Sequence, residues 1–181
     1  YRFPKAFLPH ATYSASHDIT DSAASGTALS SGYKTNNAYI GIDPHAKPNA
    51  NILEVCQDMG KNTGIVVTYE WTNATPAAFS AHDISRYNMT TMSEQIVNQG
   101  IDVVLGTGFG KAQWGSINDA SNRGYTIINN RADLEAVQQG DKIWGNLFSS
   151  SSPADISNAA TTPTLAEMTT AAIRALENDN G

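Results

Sequence analysis

Short apolar runs rich in β-branched residues alternate with helical patterns along this chain, and that alternation limits the folds it can adopt. Compact apolar runs predict strands at residues 64–69, 103–105, 125–128 and 142–148. Helical patterns accompany them at residues 22–31, 51–59, 89–99, 133–137 and 164–176. Strands that alternate with helices favour a parallel sheet covered on both faces. We therefore predict an α/β fold with a largely parallel central sheet and helices on both faces.

Apolar stripes on two of these helices predict which faces are buried. The helix that starts at Asn51 has a stripe made of Ile52, Leu53, Val55, Cys56 and Met59. The closing helix opens with a capping box at 164–167, and its stripe is Leu165, Met168, Ala172, Ile173 and Leu176. Cys56 is the one cysteine of the chain, so we expect a buried structural thiol and no disulfide.

The composition is that of a globular domain and excludes several functions. With 181 residues, of which 40% are hydrophobic and 15% charged, the chain is long enough for a single domain over residues 1–181. Its net charge of −6 argues against nucleic acid as a partner. No apolar run approaches eighteen residues, so we expect no membrane span. A site for an anion would need a local positive field from a metal ion, an arginine or a helix N-terminus.

Residues 21–30 carry the most chemical information, because an acid and a serine open a run of small side chains there. Thr20 or Asp21 can cap a helix whose first turn holds Ser22, where free N–H groups and the helix dipole favour an anion. The small side chains would let this helix lie close to the element that packs on it. From the pattern alone, the same residues also fit a capped surface helix rich in alanine and serine.

Three ordered segments resemble the alkaline phosphatase family. Residues 18–43, which contain Asp-Ser-Ala-Ala-Ser-Gly-Thr-Ala, resemble the family's nucleophile segment. Residues 74–86 contain Ala-Thr-Pro-Ala-Ala and His-Asp-Ile-Ser-Arg, and residues 102–108 resemble the strand-and-glycine segment that follows in the family. The resemblance implies the family's α/β fold, incomplete in this chain, and hydrolysis of phosphate monoesters.

The resemblance assigns Ser22 as the nucleophile. A serine hydroxyl is a weak nucleophile at neutral pH and must be activated by a base or a metal ion. The four histidines leave a Ser-His-Asp triad open, although Ser22 lacks the Gly-x-Ser-x-Gly motif and no histidine lies in a triad motif. The resemblance implies two zinc ions, one bound to the Ser22 oxygen and one at the leaving oxygen, and a phosphoserine intermediate.

The resemblance also assigns four supporting residues. Arg86 corresponds to the family's phosphate clamp, a planar fork that holds two phosphoryl oxygens, although a lone arginine is more typical of a surface ion pair. Asp21 is expected to orient Arg86 through a hydrogen bond. Thr75 corresponds to the threonine that binds a third metal ion, magnesium. Asn73 stands where relatives commonly carry Asp or His, and its neutral amide brings no charge to that metal.

Several metal-binding residues of the family have no counterpart in this sequence. The chain has no Asp-Gly-Met-Gly-like segment, which carries a metal-bridging aspartate in the family. In the family the other zinc ligands and the magnesium glutamate lie downstream of the matching segments. We therefore expect an interior portion of a longer catalytic domain that has no appreciable phosphatase activity alone. The resemblance implies a periplasmic or secreted protein that acts on small phosphomonoesters and is commonly a homodimer.

Two other functions stay open. A phosphodiesterase of the same superfamily is the first, but Ser22 together with Arg86 favours a monoesterase, because diesterase relatives often use threonine and lack the matching arginine. The second is a catalytically silent binding or structural domain on the same scaffold. Intact metal ligands in the flanking sequence would indicate an enzyme, and substituted ones a silent domain.

Overall fold

The computed structural model describes residues 13–108, 117–148, 160 and 162–178. The elements within these residues are α1 (Ser22–Ser31), α2 (Ile52–Asp58), β1 (Gly64–Glu70), α3 (Ala74–Ala77), α4 (Met89–Gln99), β2 (Val103–Thr107), α5 (117–122), β3 (Thr126–Ile128), α6 (Arg131–Glu135), β4 (Ile143–Asn146) and α7 (Leu165–Leu176). All four predicted strands are present.

The four strands form one parallel sheet in the order β1-β2-β4-β3. Val103 of β2 lies opposite Gly64 on one side and Ile143 on the other, and Thr126 of β3 also lies opposite Ile143. Parallel neighbours need crossover connections, and the helices between the strands supply them. The observed sheet confirms the predicted α/β architecture.

Side chains that alternate along the strands build a core on each face of the sheet. On one face, Val103, Leu105 and Ile143 pack with α6 and α7. On the other face, Val104 and Trp144 pack with residues of α4 and α5. Trp144 is fully buried between Trp71 and Tyr125, whose rings both meet it edge to face. The helices therefore cover both faces of the sheet, as predicted.

The predicted stripe of α7 is wrong in part. Met168 and the alanines at 171, 172 and 175 are buried, whereas Leu165 and Ile173 are 49% and 63% exposed. The small alanine side chains let α7 pack close to the sheet and α6, so the helix is rotated away from the face that the larger residues suggested. Its capping box between Thr164 and Glu167 is present as predicted.

The predicted burial of the α2 stripe is also wrong. None of the α2 residues is buried, Cys56 is only partly covered, and Val55 and Met59 are exposed. Helix α2 is held by Leu53, which packs against the core beside Trp144, and by an ion pair from Glu54, so it lies on the surface. Strand β1 is mostly half-buried rather than buried, since it is the edge strand of the described sheet.

Candidate active site

Of the two caps that the sequence allowed for α1, Thr20 and Asp21, the structure has Asp21. Asp21 is the N-cap in extended conformation, and its Oδ1 accepts a hydrogen bond of 2.8 Å from the N–H of Ala24. Ser22 is therefore the first residue of the helix. The helix ends at Gly32, which is in the left-handed conformation and donates its N–H to the carbonyl of Ala28.

The small residues of α1 let it lie directly against α3. A Cβ atom placed on Gly26 would lie 3.0 Å from Ala78 Cβ and 3.4 Å from Thr75 Cα, so only glycine fits without adjustment. Buried Ser30 adds a hydrogen bond of 2.6 Å from its Oγ to the Ala78 carbonyl. The predicted close approach of this helix to its packing partner is confirmed, and the partner is α3.

The structure brings Ser22, Asp21 and Arg86 together. Arg86 Nη1 donates to Ser22 Oγ at 2.8 Å and lies 3.3 Å from Asp21 Oδ2. The ion-paired side chains of Arg86 and Asp21 are about a quarter exposed, at 23% and 25%. A guanidinium beside a hydroxyl favours the ionised form of that hydroxyl, and a guanidinium can donate two hydrogen bonds to the oxygens of one phosphoryl group. This arrangement can bind a phosphoryl group next to a nucleophilic oxygen.

Backbone contacts hold the segment that carries Arg86. Asp83 and Ile40 exchange two hydrogen bonds of 2.9 Å in an isolated antiparallel bridge. The N–H of Arg86 itself donates to the carbonyl of Ala38 at 2.8 Å. The site is thus built from three parts of the chain: the start of α1, the turn around residue 38, and the segment that ends at residue 86.

The described histidines do not activate Ser22 through a hydrogen bond. His82 bonds the Gly41 carbonyl through Nδ1 at 2.6 Å and Glu54 Oε1 of α2 through Nε2 at 2.8 Å, so both ring nitrogens have partners other than Ser22. His17 bonds the hydroxyl of its neighbour Ser16. Among the described side chains, Arg86 is the hydrogen-bond partner of Ser22 Oγ, and His10 lies outside the described residues.

Thr75 and Asn73 line a groove between β1 and α3. The β1–α3 groove has a volume of about 410 Å³ and is lined by residues 66–70 together with Asn73, Thr75, Pro76 and Leu165. Asn73 precedes α3, and its side chain makes no capping hydrogen bond. Glu70 lines the same groove, and burial raises the pKa of its carboxyl. No hydrogen bond between described residues joins this pair to Ser22 or Arg86.

The residues that line the β1–α3 groove carry oxygens of the kind that a hard cation prefers, but only one of them is a carboxylate. They are the hydroxyls of Thr68 and Thr75, the phenol of Tyr69, the Asn73 amide and the Glu70 carboxylate. Within residues 13–108, 117–148, 160 and 162–178, no group of three or more His, Cys, Asp or Glu side chains is placed to hold a metal ion. These oxygens could contribute to a site for a hard cation such as Mg²⁺, but the described residues do not form a complete metal site by themselves.

A sequence model of the family described as "Alkaline phosphatase" matches residues 2–181. The chain belongs to the alkaline phosphatase family. Alkaline phosphatase 3 of Bacillus subtilis (strain 168) is 35% identical over 171 residues, which cover 90% of this chain and 37% of that protein. The predicted family resemblance is thereby confirmed.

Two solved alkaline phosphatases share the fold. A cold-active enzyme from the psychrophile Shewanella sp. matches with a TM-score of 0.80 and 32% identity, covering 92% of this chain and 42% of that one. A mutant of the TAB5 enzyme with Mg bound in the M3 site matches with a TM-score of 0.78 and 26% identity, covering 94% and 50%. The chain thus spans between about a third and a half of the length of these alkaline phosphatases.

Three residues that contact the site or the β1–α3 groove of this alkaline phosphatase chain were not predicted from the sequence: Glu70, Asn37 and Ala38. Glu70 could have been noticed as a carboxylate at the C-terminal end of an apolar strand, where ligands of parallel sheets gather. The turn residue Asn37 follows a second asparagine, which indicates a turn but no function. Ala38 carries no signal, because only its backbone contacts the site.

No described helix of the chain is both long and apolar enough to cross a lipid bilayer.

Proposed function

We propose that this chain is the nucleophile-bearing part of a longer phosphomonoesterase of the alkaline phosphatase type. The observation that carries the proposal is the contact of 2.8 Å between Arg86 Nη1 and Ser22 Oγ. A hydroxyl and a guanidinium at this distance can act on the same phosphoryl group. The hydroxyl oxygen attacks phosphorus, and the guanidinium donates hydrogen bonds to two of the phosphoryl oxygens. Asp21, bonded to the same nitrogen, keeps the guanidinium in that place.

The proposed reaction proceeds in two displacements at phosphorus. Ser22 Oγ attacks the phosphorus of a monoester while its proton passes to solvent, and the bond from phosphorus to the alcohol oxygen breaks. The alcohol leaves after taking up a proton, and Ser22 is left as phosphoserine. Water then attacks phosphorus and gives up a proton, the bond to Oγ breaks, Oγ takes up a proton, and inorganic phosphate leaves. Throughout, Arg86 binds the phosphoryl oxygens whose negative charge must be offset.

Divalent metal ions are part of the proposal. Thr75 and Asn73 would hold a magnesium ion with Glu70 beside them, since all three line the β1–α3 groove and a TAB5 relative holds Mg in its M3 site. The Ser22 oxygen would meet one of two zinc ions, whose other ligands would lie outside the described residues. Bound divalent ions would favour the ionised hydroxyl and offset phosphoryl charge. Asn73, being neutral, would make the magnesium site weaker than one with a carboxylate.

The wider context of the activity is also proposed by resemblance to the family. We infer small phosphate monoesters as substrates, a periplasmic or secreted location, and a homodimer. The net charge of −6 argues against nucleic acid as a partner. We further infer that the 181-residue chain alone turns over no phosphomonoester, because its described residues lack a complete set of metal ligands.

The test is turnover of an aryl phosphate monoester by the full-length protein and by two serine variants. Ser22→Ala should lower kcat by at least about 10³-fold, because it removes the nucleophile. Ser25→Ala, one turn further along α1, is the matched control and should keep the parent's kcat. Near-normal turnover by Ser22→Ala would contradict the covalent mechanism. A protein that hydrolyses phosphate diesters but no monoesters would be a phosphodiesterase. A parent protein that hydrolyses neither would be a catalytically silent domain.

A further inference from the structure

A single turn contacts both partners of the Ser22–Arg86 pair. The N–H of Ala38 donates to Asp21 Oδ2 at 3.0 Å, and the carbonyl of Ala38 accepts from the N–H of Arg86 at 2.8 Å. One residue therefore bonds the carboxylate that caps the nucleophile's helix and the backbone that carries the guanidinium. A shift of this residue would move both ends of the contact.

The side chain of Asn37 holds the other end of the same turn. Its Oδ1 accepts from the N–H of Asp21 at 3.1 Å, and its Nδ2 donates to the carbonyl of Ile19 at 3.0 Å. In the reverse orientation of the amide, its NH2 group would face the N–H of Asp21 and its oxygen would face the carbonyl of Ile19. Neither pair can form a hydrogen bond, so the two partners fix the orientation of the amide. The N–H of Asn37 in turn donates to Ser16 Oγ at 2.9 Å.

The turn is held in a conformation that its sequence does not favour. Ala38 has a φ of +69°, in the left-handed region that residues with a Cβ rarely adopt. Such residues persist where the surroundings over-determine them, and they concentrate at functional sites. Here the surroundings are the bonds from Ala38 to Asp21 and Arg86, together with those that Asn37 makes one residue earlier.

We propose that Asn37 is a positioning residue for the Ser22–Arg86 pair, which deepens the proposed function and rests on it. The amide of Asn37 fixes the backbone that enters α1, and thus the place of Ser22. Through the adjacent Ala38, the same turn fixes Arg86. In this proposal the turn helps to set the distance between Ser22 Oγ and the guanidinium of Arg86 while its own hydrogen bonds go to neither group.

The burial of these groups distinguishes positioning from a purely structural role. Asn37 and Asp21 are only half-buried, and Ile19 is 80% exposed. Water can replace the amide's hydrogen bonds at such sites, so removal of the side chain should leave the fold intact. The loss should appear instead in the geometry between Ser22 and Arg86, where a displacement of about 1 Å can cost about 10²-fold in rate.

The experiment is a double-mutant cycle in the full-length protein with Asn37→Ala, Arg86→Ala and the double variant. Affinity for inorganic phosphate is measured by calorimetry and kcat/KM with an aryl phosphate. Asn37→Ala alone should lower both by about 10-fold or more, but by less than about 3-fold in the Arg86→Ala background, because the clamp it positions is gone. Asn36→Ala, whose side chain bonds the Pro44 carbonyl, is the matched control and should behave as the parent.

Each outcome of the cycle supports or overturns the inference. Equal losses in both backgrounds, or no loss at all, would overturn it while leaving the proposed function intact. A parent that neither binds phosphate nor hydrolyses the monoester would overturn both. If Asn37→Ala does not fold, Asn37→Asp takes its place, since it keeps the acceptor for Asp21 and loses the donor to Ile19.

Discussion

Arg86 Nη1 lies 2.8 Å from Ser22 Oγ although the two residues are 64 positions apart in the sequence. The contact joins the first turn of α1 to a segment that reaches it through the bridge between Ile40 and Asp83. The site is therefore a product of tertiary structure, and its function depends on how firmly the two segments are held together.

Replacement of Arg86 should weaken phosphate binding without removing the nucleophile. Arg86→Ala should raise the Kd for inorganic phosphate by about 10- to 100-fold, the range expected when a hydrogen bond to a charged group is lost. Arg86→Lys should recover only part of this, because an ammonium cannot hold two oxygens in a planar fork. Calorimetric titration with phosphate checks both variants. Exposed Arg123→Ala is the control, and equal affinity in Arg86→Ala and the parent would refute the clamp.

The contact between α1 and α3 should depend on Ser30 more than on its neighbour. Ser30→Ala removes the buried bond of 2.6 Å to the Ala78 carbonyl and should lower the free energy of unfolding by about 1–2 kcal/mol. Ser31→Ala is the matched control, since Ser31 Oγ donates within α1 to the Thr27 carbonyl. Its effect should stay within about 0.5 kcal/mol. Denaturant titrations measure both, and equal losses would count against the packing role of Ser30.

Stability should fall at high pH because of Tyr125. Burial, with a smaller contribution from the charge of Asp102, raises the pKa of Tyr125 from 10.0 to about 12. Between these values the unfolded chain loses the phenolic proton while the folded chain keeps it, so stability is lost as pH rises through this window. Below pH 10 this contribution is fully present.

Tyr125→Phe isolates that contribution. The variant should be less stable than the parent below pH 10 by about 1 kcal/mol, because the bond of 2.7 Å to the Ile101 carbonyl is gone. The difference should shrink between pH 10 and 12. Thermal unfolding as a function of pH measures it, with exposed Tyr87→Phe as control. Parallel curves for the parent and Tyr125→Phe across this window would disprove the assignment.

Metal affinity should respond to the two polar residues around the start of α3. Thr75→Val should weaken Mg²⁺ binding by about 10-fold because it removes an oxygen donor, and Asn73→Asp should strengthen it by a similar factor because it adds a carboxylate. Calorimetry with Mg²⁺ alone measures both without reference to activity. Exposed Thr90→Val on α4 is the control. Unchanged binding in both variants would remove these residues from the magnesium site.

Local chemistry explains which parts of the fold could be predicted. Helix ends were found correctly at Asp21, Asn51 and Thr164, because a cap depends on residues within one turn. Burial was predicted less well, and Leu165 and Ile173 are exposed although they are large and apolar. Which side of a helix is covered depends on the shape of its partner, and alanines can fit closely where leucine cannot.

The candidate site, like the fold, could be predicted from the sequence only in part. Ser22, Arg86 and Thr75 were chosen through resemblance to the family, and the structure brings the first two into contact while their roles remain predictions. The turn at Asn37 and Ala38 was missed because its contacts involve backbone groups and a left-handed alanine. Neither feature leaves a pattern in residue types, so only the folded chain reveals what this turn contacts.

The central claim is that Ser22 becomes phosphorylated during turnover, and mass spectrometry of the acid-quenched full-length protein tests it most directly. After incubation with an aryl phosphate, we expect the peptide that contains Ser22 to gain the mass of one phosphoryl group. Fragmentation should assign that group to Ser22, and Ser22→Ala should carry none. Steady turnover with an unmodified Ser22 peptide, or a phosphoryl group on another residue, would contradict the account.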